Sequence, residues 1–149
     1  MARRLGVTVR YLLGAAMALT VGAACAAPGR PNLFGLGESA EGIYQLDTTT
    51  ISKSGATASA WVTIIPSERS EGRRLGSSFM LVLYFLGCDS KKVHPLAWKA
   101  LDASGAIFAE GVHGKERERR ASKGSMDERI LSVVCTWDGS RAPPNILRQ

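Results

Sequence analysis

Phe79-Met80-Leu81-Val82-Leu83-Tyr84-Phe85-Leu86, set between Ser78 and Gly87-Cys88, is the stretch whose reading decides the fold. A strand with one wet face alternates apolar and polar residues. A run that is apolar at every position therefore reads as a strand covered on both faces. It is short for a helix, rich in aliphatic and aromatic side chains, and closed by Gly87. Burying these side chains is worth roughly 10–20 kcal/mol gross, most of which chain entropy cancels. The stretch predicts a central strand over 78–88 that ends in a thiol, Cys88.

The chain of 149 residues is one domain's worth of sequence and holds three cysteines. Cys25 belongs to an N-terminal segment with the features of an export signal. Arg3, Arg4 and Arg10 form its basic part, Tyr11–Gly22 its apolar part, and Ala24-Cys25-Ala26 its small-x-small cleavage pattern. The apolar part is shorter than the ~20 residues that span a bilayer, so 1–26 reads as a cleaved signal peptide and no membrane span is expected. Acylation of Cys25 is the alternative. Gly22 disfavours it, because lipoprotein signals carry a large aliphatic residue three places before the cysteine. Cys88 and Cys135 then remain, and in an exported chain such a pair predicts a disulfide.

Charge narrows the partners. The whole chain has 19 basic and 13 acidic residues, a net charge of +6. Three arginines leave with residues 1–26, so the mature part carries only +3. That excess does not call for nucleic acid. His94 and His113 lie on separate segments without ligand spacing, so no metal and no cofactor are expected. Each reads as a surface or half-buried residue.

Residues 27–41 hold Pro28, Pro31 and several glycines and read as a flexible lead-in. Gly42–Leu46 is a short strand, and Lys53-Ser54-Gly55 a turn. Over 57–65 the alternation is clean: Ala58, Ala60, Val62 and Ile64 share one face, with Trp61 on the other. Trp61 is expected to pack under a helix or loop rather than stack on a ligand. Ser67–Gly76 reads as a loop. Pro95–Leu101 and Ala106–Glu110 form a hairpin across Asp102-Ala103-Ser104-Gly105, with Leu96 and Trp98 on one face.

Lys115-Glu116-Arg117-Glu118-Arg119-Arg120 is the densest charge run. It reads as an exposed loop. Lys115, Arg117, Arg119 and Arg120 are the candidate ligand-binding residues, suited to an acidic protein patch or a sulfated polymer. Ser125-Met126-Asp127-Glu128 is a capping box, in which the Glu128 carboxylate reaches back to the Ser125 amide. Met126, Ile130, Val133 and Val134 then make one apolar stripe, which predicts a helix from 126 to about 135. Residues 138–149 read as a loose tail. No nucleophile–base set, phosphate loop or metalloprotease motif is present in the sequence, so no catalytic residue is nominated and an enzyme is not expected.

This succession resembles the bacterial surface-adhesin protein E-like family. The resemblance runs from Gly42 to about Cys135. It rests on Tyr44, Asp47, Thr50-Ile51 and Gly55, the strand with Trp61, the run from Ser78 to Cys88, the hairpin at 101–105, and the helix from Ser125 to Cys135. The family's tryptophan before the last helix is replaced here by the charge run, and its Asp-Cys by Gly87-Cys88. The resemblance implies an α+β fold: a small antiparallel meander of about five to six strands over 42–137, with a C-terminal helix tethered by Cys88–Cys135. It also implies a periplasmic, outer-membrane or cell-surface protein of a Gram-negative bacterium. Its partners would be host extracellular-matrix or serum proteins, or, as the alternative, it would be a periplasmic accessory protein with no host ligand.

Overall fold

A computed structural model describes residues 32–139. The signal-peptide reading, Cys25 and the tail from residue 140 onward lie outside the described residues. Eight strands form one antiparallel sheet. They are β1 (Leu33–Ser39), β2 (Gly42–Asp47), β3 (Ser52–Ser54), β4 (Thr57–Pro66), β5 (Phe79–Gly87), β6 (Lys92–Leu101), β7 (Ile107–Val112) and β8 (Arg119–Arg120). The order across the sheet is β1-β2-β4-β5-β6-β7, with β3 paired to β4 and β8 to β6. Among the described residues two α-helices accompany it: the single turn α1 (Glu71–Arg74) and the longer α2 (Met126–Thr136). The α+β class and the meander agree with the sequence reading, and the strand count exceeds it.

The extra strands have physical reasons. Within the expected lead-in over 27–41, residues 33–39 form strand β1, antiparallel to β2. Gly35 and Gly37 hid it, because they bracket a register shift that breaks the alternation. Gly37 sits at φ +120°, and Leu36 between them is buried in the core. Strands β3 and β8 are two- or three-residue edge pieces with no apolar signature. The presumed loop at 67–76 holds α1, whose Ser70 hydroxyl accepts from the Arg73 amide.

On one face of the sheet Tyr44, Leu46, Ala58, Ala60, Val62, Val82, Tyr84, Leu86 and Val93 are buried. Helix α2 packs there against β1 and β4, and buries Ile130, Leu131, Val133 and Val134. The Ser125 hydroxyl accepts from the Glu128 amide at 3.2 Å, as its capping box requires. The return bond differs from expectation. Glu128 Oε2 accepts from the Gly124 amide at 2.6 Å, because the Ser125 amide already donates to the Ser122 carbonyl.

At its other end, α2 is tied down twice. Cys135 is bonded to Cys88, with sulfurs 2.07 Å apart. Lys53 Nζ donates to the Cys135 carbonyl at 2.8 Å and also to the Trp137 carbonyl. A cation on the last carbonyls of a helix meets the negative end of its dipole. Lys53→Met is expected to lower stability by about 0.5–1 kcal/mol, read as a shift in urea midpoint at unchanged slope.

The central strand β5 is not buried on both faces. Val82, Tyr84 and Leu86 are buried, but Phe79, Leu81, Leu83 and Phe85 point to the opposite face and are exposed or half-buried. Among the described residues both helices that could form a second layer, α1 and α2, serve the first face, so the run is covered on one side only. Trp61 shares the open face. It is half-buried, lies opposite Leu83 and has Lys99 Nζ 5.6 Å from its ring centroid. The expected Leu96–Trp98 pairing on one face also fails. A bulge beside Leu83 and Tyr84 inserts Leu96, leaving it exposed, while Pro95 is buried and Trp98 half-buried.

Candidate binding surface

The charge run is not a plain loop. Gly114 starts a 3₁₀ turn over Lys115–Arg117, and the chain then pairs with β6 as β8. Arg120 lies opposite Lys92 and Arg119 opposite Val93, while the Ala121 amide donates to the Lys91 carbonyl at 2.9 Å. This pairing brings Lys91-Lys92, from a turn far away in sequence, beside Arg119-Arg120. Like charges directly opposite one another on a ladder are unfavourable. Lys92 is relieved by Glu118, with Nζ 2.7 Å from Oε1. That bond holds the Glu118 carboxyl below its ordinary pKa.

The four candidate residues divide by role. Arg119 donates from Nε and Nη2 to the two carboxylate oxygens of Asp127, at 2.5 and 2.9 Å. Asp127 lies in the first turn of α2, so Arg119 is a brace between β8 and that helix. Arg119→Gln is expected to cost about 0.5–1 kcal/mol by thermal denaturation, since a two-point pair is better than a typical surface pair. Arg120→Gln is expected to change stability by less than about 0.5 kcal/mol. Lys115, Arg117 and Arg120 have no ion-pair partner among the described residues. His94, expected as a surface or half-buried residue, is buried at 8% exposure because residues 113–120 fold back along β6.

The register gathers a second feature beside these cations. Ile43, Ile65, Trp61, Leu81, Leu83, Phe85, Ala97 and Lys99 fall on the open face across four adjacent strands. Ile43 is 46% exposed, Phe85 44%, and Val112, at the β7 edge opposite Ala97, 80%. Gln45, Ser59 and Thr63 lie on the same face, so its apolar part centres on Trp61, Leu81, Leu83 and Phe85, and a group of this kind is more informative than a single exposed leucine. Lys92 is opposite Gly87 in register, so Lys92 and Arg120 border the same face, and Lys99 stands within it. The arrangement is a partly apolar face with cations along its β6 side, of which Lys92 is paired to Glu118 and Lys99 to Glu110 at 3.8 Å, while Arg120 has no ion-pair partner among the described residues.

On the covered side a groove of about 310 Å³ opens between α1 and the 3₁₀ turn. Ile64, Val82 and Trp98 line its floor, with Tyr44 and Met80 beside them. Burial raises the pKa of Tyr44 and, with the neighbouring Tyr44 hydroxyl, of Tyr84, so both phenols are neutral at physiological pH. Glu41 and Glu71 stand at the β2–β4 side of the groove, His113 and Arg117 at the β6–β7 side. Burial and the Arg117 charge hold His113 below its ordinary pKa.

Sequence reasoning nominated Arg117 and Arg120, which lie on these surfaces, and did not nominate Lys91, Lys92, Trp98, Glu41 or Glu71. Only the doubled lysine after Cys88 offered a signal, and its neighbour in space is set by the β6–β8 pairing. Among the described residues no group of three or more His, Cys, Asp or Glu side chains could hold a metal ion. Likewise no helix among them is long and apolar enough to cross a membrane.

No family model matches the chain, and no curated protein matches it. Among solved structures it is similar to protein E from non-typeable Haemophilus influenzae, with 8% identity and a TM-score of 0.45 over 69% of this chain and 74% of that one.

Proposed function

We propose that this is an exported envelope protein that works as a non-catalytic docking module, taking an acidic protein surface across the open face of its sheet. The observation that carries the reading is the one-sided burial of β5: among the described residues no helix covers the second face of a run that is apolar at every position. The cations bordering that face supply the complement for an acidic rim. Hydrophobic contact at the centre would hold the complex, and the charges would steer approach and select the partner. A host matrix or serum glycoprotein is the partner class we favour, at the cell surface.

The test immobilises the oxidised mature protein and measures binding of purified matrix and serum glycoproteins at low and moderate salt. Leu83→Asp, in the middle of the open face, should reduce binding at least about tenfold while the fold is kept. Replacing Arg120, Lys91 and Lys92 with glutamine should slow association and flatten the salt dependence. Arg119 is left intact because it braces α2. Unchanged binding by Leu83→Asp would remove the open face from the account. Labelling of intact cells with a membrane-impermeant reagent separates the two locations: a protein that stays unlabelled until the outer membrane is breached is the periplasmic accessory protein instead.

A further inference from the structure

We propose that the groove on the covered side of the sheet binds a short peptide segment in which an apolar residue is flanked by one cationic and one acidic residue. The inference is independent of the open face, which lies on the other side of the sheet.

The groove has a direction. Its floor crosses the sheet from β4 at Ile64, through β5 at Val82, to β6 at Trp98. Tyr44 on β2 extends it by one strand. Strands lie about 4.8 Å apart, so the three spacings from β2 to β6 span roughly 14 Å. That is the reach of about four extended residues. The two ends carry opposite charge. Glu41, in the β1–β2 turn, and Glu71, in α1, form the acidic end; Arg117 supplies the cation at the other, with a neutral His113 beside it. None of these four side chains is in an ion pair among the described residues. A uniform polyanion would meet Glu41 and Glu71, and a uniform polycation would meet Arg117. A ligand of mixed charge with an apolar middle is repelled at neither end.

The space is kept by two glycines. A Cβ at Gly111 would stand 2.9–3.1 Å from the Trp98 indole, so glycine there lets the ring lie over β7 and form one wall. A Cβ at Gly72 would come within 2.5 Å of the Met80 sulfur, so glycine there lets α1 sit close on β5. An apolar side chain entering the groove would then lie against indole and thioether, both favourable partners for an aromatic ring.

The experiment titrates the ¹⁵N-labelled oxidised mature protein with four blocked tripeptides: Lys-Phe-Glu, Lys-Ser-Glu, Lys-Phe-Lys and Glu-Phe-Glu. We expect Lys-Phe-Glu to give saturable shifts at the Trp98 indole N–H with Kd near ~1 mM, and the other three to bind at least about fivefold more weakly. Glu71→Gln and Arg117→Gln should each weaken Lys-Phe-Glu about fivefold. Both residues sit at the surface and their replacement is expected to leave the fold intact. Leu83→Asp should leave this binding unchanged, so failure here and failure of the docking face are separable. Four outcomes would overturn the proposal: no saturable binding of Lys-Phe-Glu, equal binding of all four peptides, tightest binding of Glu-Phe-Glu, or shifts centred on Trp61 instead of Trp98.

Discussion

Removing the Cys88–Cys135 bridge, by Cys88→Ala with Cys135→Ala, is expected to lower stability by about 2–5 kcal/mol. The bridge joins residues 47 apart in sequence. In the chain-entropy model, closing a loop of that size takes about 4 kcal/mol of freedom from the unfolded chain. For a domain of this size each kcal/mol moves the midpoint by roughly 4–8 °C, so a loss of about 4 kcal/mol is expected to lower Tm by roughly 15–30 °C. The position of the link decides what is lost. It ties the last turn of α2 to the end of β5, and Lys53 is the other tie at that place. The first turn stays braced by Arg119 on Asp127. The reduced helix should therefore fray from its C-terminal end first, with amide exchange rising at 133–136 before 128–131. Free-thiol titration of the mature protein should find neither cysteine reactive. A fall in Tm of only a few degrees, or two reactive thiols in the native protein, would sink the assignment of this bridge as a principal brace.

What was legible in the sequence was whatever local patterning alone dictates. The alternation at Thr57–Ile65 placed Ala58, Ala60, Val62 and Ile64 on the buried face, and the structure keeps them there. The serine-started stripe from Met126 gave α2 nearly to the residue, missing only that Leu131 is buried as well. Beyond that reach the reading failed in one consistent way. Strand β1 has apolar residues, but the register shift at its glycines breaks their alternation, and β8 owes its place to pairing with β6 without any apolar signature. The candidate surface suffered most from this. Nothing near Lys91-Lys92 announces that Arg119-Arg120 will lie alongside, and nothing in the charge run separates Arg119, which braces a helix, from Arg120, which does not. The groove is harder still to foresee. Its floor residues looked like ordinary core, and its charged ends come from a turn, a one-turn helix and a 3₁₀ turn that meet only in the folded chain.

The largest misreading, coverage of both faces of β5, has a direct thermodynamic test. Leu86 is fully buried on the helix side, and Leu83, three residues earlier, is half-buried on the open side. Truncating a fully buried leucine removes its transfer free energy and leaves a cavity, so Leu86→Ala is expected to cost about 3–4 kcal/mol. Leu83→Ala leaves no closed cavity, since solvent already reaches the site, and should cost about 1 kcal/mol. Urea denaturation of the two variants at equal slope gives the comparison. If both cost about 3 kcal/mol, something covers the open face in the isolated protein, self-association being the first candidate to check by sedimentation. If they differ by at least about 2 kcal/mol, β5 carries an apolar face that its own domain does not use for stability. A strand that keeps leucine and phenylalanine where its fold gains little from them is then explained by what binds there. Adding a saturating binding partner should raise the Tm of the parent protein and do so much less for Leu83→Asp, because stabilisation by a ligand follows its affinity for the folded state.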